Sequence, residues 1–117
     1  MAKPTPLKQR TYAFAIRVVR LSRLYPRTLE GRVFCEQLLR AGTSVAANYR
    51  AACRGRSSRE FIAKIGTVIE EADESEFWLS ATKELGMVSV PKVESLRAEA
   101  DELVAIFTQA HRTARRS

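Results

Sequence analysis

Arginine dominates the chemistry open to this chain. Fifteen of its 20 basic residues are Arg, and the sequence holds one histidine. A guanidinium is permanently charged, and its planar fork of donors matches phosphate oxygens, so a run of arginines points to polyanion binding rather than proton transfer. Arg17, Arg20, Arg23 and Arg27 recur at steps of three and four, which places them along one side of a helix. Arg10 precedes them, and Arg32, Arg40, Arg50 and Arg54 continue the series into what reads as the solvent side of a second helix. The charge is also polarised. Residues 1–59 carry 13 Lys and Arg against only Glu30 and Glu36, while residues 60–117 carry seven against 11 acids, which makes +11 and −4 of the net +7. Such a division offers a basic half and an acidic half to partners.

Catalytic chemistry is poorly supplied. A nucleophile needs a tuned base beside it, and His111 stands alone in the terminal "HRTARRS". Glu70, Glu71, Asp73, Glu74 and Glu76 crowd one segment, but a di-iron bundle would want Glu-x-x-His pairs on facing helices, and none occurs. No Gly-rich phosphate loop is present. Cys35 and Cys53 have no ligand-spaced neighbours. On one straight helix they would sit about 27 Å apart, too far for a disulfide, so two buried free thiols are expected. The expectation is a non-enzymatic protein without cofactor or metal.

Helices must carry these residues, because apolar positions recur with helical period and no segment alternates as a strand does. Leu7, Phe14, Val18, Leu21 and Tyr25 share one face of a first helix over about 7–25. Tyr12, Ile16 and Val19 widen its apolar arc past half the circumference, more than a bundle core needs, which predicts a second contact with another subunit. Pro26 ends this helix and Thr28 caps the next, over about 29–53, with Phe34, Leu38, Val45, Tyr49 and Ala52 inward and Gly55 as a C-terminal stop. Ser57 and Glu60 form a capping box for a third helix over about 58–85, which stops at Gly86. A fourth, over about 90–112, keeps Val93, Leu96, Ala100, Leu103, Phe107 and Ala110 in register. Short connections between long amphipathic helices predict a single-domain, antiparallel up-down-up-down four-helix bundle. With no apolar run long enough for a bilayer and no apolar leader in "MAKPTPLKQR", the expected location is the cytoplasm, without membrane association.

The second helix contains an unusual stretch, "RAGTSVAANYRAAC", rich in small residues and weak helix formers. Gly42 and Ala46 flank its core stripe on one side, with Ser44 and Asn48 on the other, so a neighbouring backbone can approach closely. Asn48 is expected to fix packing register through a buried hydrogen bond. In the third helix, Trp78 falls on the opposite side from Phe61, Ile65 and Leu79, among glutamates, as an interface anchor would.

Three pieces, the Ser44–Asn48 segment with Tyr49 and Arg50, the helix start "RSSREFIAKI" and "EEADESEFWL", together resemble the bacterial four-helix-bundle family first noticed as reading frames in intervening sequences of 23S ribosomal RNA genes. The resemblance is strong over about residues 37–86 and extends loosely over the flanking helices. It implies a cytosolic bundle assembling as a ring-shaped homopentamer. It also implies kinship in fold with the accessory variability proteins of diversity-generating retroelements, which bind nucleic acid and a reverse transcriptase. Ala46 stands where many members carry Pro, and Glu76 where they carry an apolar residue.

Arginine bias and this kinship favour sequence-independent binding of RNA or DNA through phosphates, with Tyr12 and Tyr25 available to stack on unpaired bases. The alternative is an oligomeric adaptor or scaffold that binds protein alone, for which Trp78 and the wide arc of the first helix speak.

Overall fold

The structure is a computed structural model that describes residues 6–116. Four helices account for it: α1 (Leu7–Ser22), α2 (Leu29–Cys53), α3 (Ser58–Glu84) and α4 (Val90–Arg116), with no strand among the described residues. Local chemistry sets most boundaries. The Thr28 hydroxyl accepts from Gly31 N at 3.1 Å, and the Ser57 hydroxyl accepts from Glu60 N at 3.2 Å. Glu60 reaches back, its carboxylate accepting from Arg56 N at 2.6 Å, so the α3 cap closes one residue earlier than the reciprocal capping box. Gly86 ends α3 with φ +64°, where an L side chain would be strained.

Three ends differ from expectation. α4 continues to Arg116, past the end expected near 112. α1 stops at Ser22 rather than Tyr25, because Pro26 disfavours helical backbone just before it and the turn closes through Leu24 N to Leu21 O. α2 ends without a left-handed glycine: Gly55 N donates to Ala52 O at 3.1 Å, and Gly86 has the only positive φ among the described glycines.

Each helix packs on its sequence neighbours, and α1 also meets α4, which gives the antiparallel cycle of a four-helix bundle. Phe14, Val18 and Leu21 of α1, Leu38 and Val45 of α2, Ile65, Val68 and Leu79 of α3, and Val93, Leu96, Leu103 and Phe107 of α4 form one buried core. Tyr49 reaches across from α2 to Phe107, ring centroids 5.1 Å apart. Polar groups in this core are paired. Tyr25 and Thr82 share a hydrogen bond of 2.6 Å, and Thr82 also donates to Trp78 O.

The bundle is flattened, 47 × 34 × 19 Å. The α1–α2 seam is tight: a Cβ on Gly42 would lie 2.7–3.0 Å from the Val18 side chain. The α1–α4 seam is looser and bridged by polar groups. Trp78 does not face away from the core as expected. It is half-buried in the α2–α3 seam, edge-on to Phe34 at 5.0 Å, and Phe77 is the exposed aromatic beside it. Cys35 is half-buried and donates to Ser22 O, but Cys53, at the end of α2, is exposed rather than buried. No helix among the described residues is long and apolar enough to cross a membrane.

Candidate nucleic-acid interface

The structure sorts the nine arginines singled out above into two groups. Three are engaged within the chain. Arg10 grips Glu99 of α4 through Nε at 2.7 Å and Nη2 at 2.8 Å, and reaches Glu102 at 3.3 Å. This pairing raises the Arg10 pKa and, opposed only in part by burial, lowers that of Glu99. Arg17 donates to Ser95 Oγ at 2.8 Å, and Arg40 bridges Glu71 and Glu74 of α3. These three therefore tie helices together. The other six, Arg20, Arg23, Arg27, Arg32, Arg50 and Arg54, are exposed and have no side-chain partner among the described residues.

Those six do not make a continuous stripe. Helix direction divides them between the two ends of the bundle. At the end that holds the α1–α2 and α3–α4 turns stand Arg20, Arg23, Arg27 and Arg32, joined by Lys92 in the first turn of α4. At the opposite end stand Arg50 and Arg54, joined by Arg56 and Arg59, which sequence reasoning had counted but not singled out. The signal for them was the spacing in "RGRSSRE", three arginines around a helix start. Between the two ends, Arg10 and Arg40 are neutralised by ion pairs.

The carboxylates of α3 disperse in the same way. Glu71 and Glu74 turn to α2, while Glu76 takes Arg97 of α4 at 3.2 Å and a hydrogen bond from Ser80 at 2.6 Å. Glu70 and Asp73 face solvent. Arg97 and Lys83 hold the Glu94 carboxyl down to about 2. No group of three or more metal-ligating side chains converges among the described residues.

Tyr12 is 58% exposed on α1, open to a base or a second subunit, with Ile16 and Val19 half-buried beside it. Tyr25 is not open: it is 8% exposed, burial raises its pKa, and its hydroxyl is spent on Thr82. Gly42 and Ala46 are buried. Asn48 is half-buried, and its Nδ2 donates to Ser44 O at 2.9 Å, one turn back on its own helix rather than across a seam. Trp78 Nε1 donates to Glu74 at 3.2 Å.

Open grooves lie on the surface of the described residues. The one between α1 and α4, about 460 Å³, is lined by Arg17, Arg20, Lys92 and Ser95 over Leu21, Leu24 and Leu96. Another, about 270 Å³, lies under Arg23, Arg27 and Arg32. A third, about 390 Å³, lies between Arg54, Arg56 and Lys64 at the opposite end, and another is beside Glu84 and Glu94.

Comparison with known proteins agrees with this architecture. A crystal structure of a protein of unknown function from the S23 ribosomal protein family, from Bacteroides thetaiotaomicron, superposes with a TM-score of 0.84 at 28% identity, over 91% of this chain and 98% of that one. No curated protein matches the chain. The family model described as 23S rRNA-intervening sequence protein matches residues 5–109, nearly the whole sequence, and the chain belongs to that family.

Proposed function

We propose that this protein is a non-enzymatic, cytoplasmic, oligomeric bundle that binds RNA or DNA through phosphates with little sequence preference. The observation that carries the reading is the set of unpaired arginines at the bundle ends. Arg20, Arg23, Arg27, Arg32, Arg50 and Arg54 are held on helices and short turns, solvent-facing and without an ion pair among the described residues, so their charge is available to a polyanion. Permanent, planar cations suit phosphate contacts, which position a strand without reading its bases. The ring of five implied by the family resemblance would multiply that charge and steer polyanions toward it. A reverse transcriptase or other nucleic-acid enzyme is a fitting protein partner on the same resemblance.

Mobility shifts at low salt with structured RNA, single strands and duplex DNA test this. Binding of at least one probe at micromolar protein, with log affinity falling linearly with log salt, is the expected result. Absence of binding to all three overturns it.

A specific observation also favours the adaptor reading. Phe77 (58% exposed) beside Trp78, Leu85 just after α3, and Leu29 and Val33 of α2 are exposed apolar side chains that contacts to other chains would cover. Self-association accounts for them within either reading, so light scattering tests the oligomer that both require and the mobility shifts separate the two. A multiple of 13.2 kDa supports a homo-oligomer, and a monomer at micromolar concentration refutes it.

A further inference from the structure

The α1–α4 groove differs in its charge from the three grooves described beside it. Glu36, Glu60, and the pair Glu84 and Glu94 line those, but no carboxylate lines this one. Its polar rim is Arg17, Arg20, Lys92 and Ser95, and its floor is Leu21, Leu24 and Leu96. Arg20 and Lys92 over leucines, with no carboxylate among the lining side chains and Glu99 acting, of the rim cations, only on Arg17, suit a ligand with an anionic end and a flat apolar body. At about 460 Å³ it lies within the usual range for small-molecule sites.

We infer that this groove takes one nucleotide unit, its phosphate on Arg20 and Lys92 and its base on the leucine floor. The inference rests on the nucleic-acid reading and gives it a place. The rim is partly preset. Arg17 is steered by its bond to Ser95 at 2.8 Å, which leaves its remaining guanidinium donors beside the groove. Arg20 and Lys92 are exposed and have no side-chain partner among the described residues. The first turn of α4, to which Lys92 belongs, holds no acid, so the positive end of a 27-residue helix adds to the same field. Leu24 is 48% exposed, an apolar surface that a base can cover.

A base inside a duplex is stacked and cannot reach the floor, so the groove selects unpaired nucleotides. The same chemistry is met by a free nucleotide and by one within a strand, and separate probes distinguish them. Leu24→Ser and Lys92→Gln both alter solvent-exposed positions, and circular dichroism checks that their helix content is unchanged. Binding of a homopolymeric single-stranded RNA, a duplex of equal length and adenosine monophosphate is then measured for each protein. Leu24→Ser is expected to weaken single-strand binding about tenfold while leaving duplex binding unchanged. Lys92→Gln is expected to lower the single-strand salt slope by about 0.7. If both variants bind single strands as the parent does, the groove is not the site, while the wider reading stands. If the parent binds no strand but binds the mononucleotide and the variants lose it, the groove stands and strand binding falls. Binding of no probe by the parent overturns both.

Discussion

α1 has two very different neighbours. Against α2 it packs so closely that Gly42 leaves no room for a methyl group beside Val18, and Ala15, Ala46 and Gly42 are all buried there. Against α4 it is held at arm's length by Arg10 on Glu99 and Arg17 on Ser95, with an open basic groove between. One seam is apolar, closely packed and intolerant of added volume. The other is polar and open, and its long side chains can be replaced at small cost. Stability is therefore concentrated on one side of the helix and accessible chemistry on the other.

Adding volume to the tight seam should have the largest effect. Gly42→Leu places a side chain where Val18 already sits and is expected to destabilise the protein by roughly 3 kcal/mol, read as a shift in the denaturation midpoint. Ala46→Leu, at a buried but less confined site, should cost about 1–3 kcal/mol. An unchanged midpoint for both would show that the two helices can slide apart freely.

The open seam should respond less, and its response should depend on pH. Arg10 holds the Glu99 carboxyl below its ordinary value, so the pair's contribution is complete above about pH 4.5 and is lost as the pH falls through the lowered value. Because both partners are partly solvated, Glu99→Gln should cost only about 0.5–1 kcal/mol at neutral pH. The gap between parent and variant should close in acid. A gap that widened on acidification would contradict the pairing.

Asn48→Ala should have the smallest effect, within about 0.5 kcal/mol. Its amide returns to Ser44 O on its own helix, and alanine is the better helix former. A loss of 2 kcal/mol or more, roughly the penalty for orphaning a buried partner, would mean the amide holds two helices together.

These contrasts bear on what the sequence makes legible. Helix starts at Leu29 and Ser58 were readable because Thr28 and Ser57 cap through bonds that span three residues. The small residues of α2 were readable because Gly42 admits close approach through composition alone. The fate of each arginine was not. Arg10 finds Glu99 across 89 positions, and Arg40 finds Glu71 and Glu74 only because α2 and α3 pack in one particular register. The burial of Trp78 is hidden from the sequence for a related reason. It lies at the margin of the α3 core face, and the presence of Phe34 on α2 decides whether such a residue is exposed or wedged in a seam. The α1–α4 groove was invisible too, since it exists only where two helices fail to close.

On the proposed function, the unpaired arginines, and not the ion-paired ones, are expected to contact nucleic acid. The salt dependence of single-stranded RNA binding for two variants tests this directly. One replaces Arg20, Arg23 and Arg32 with Gln, and the other replaces only Arg40. If the three free cations each neutralise a phosphate, the triple variant should bind more weakly, with a slope of log affinity against log salt lower by about 2. Arg40→Gln should keep the parent's slope, because that guanidinium is already spent on Glu71 and Glu74. Equal slopes for parent and triple variant, or a slope lost with Arg40 alone, would contradict the account.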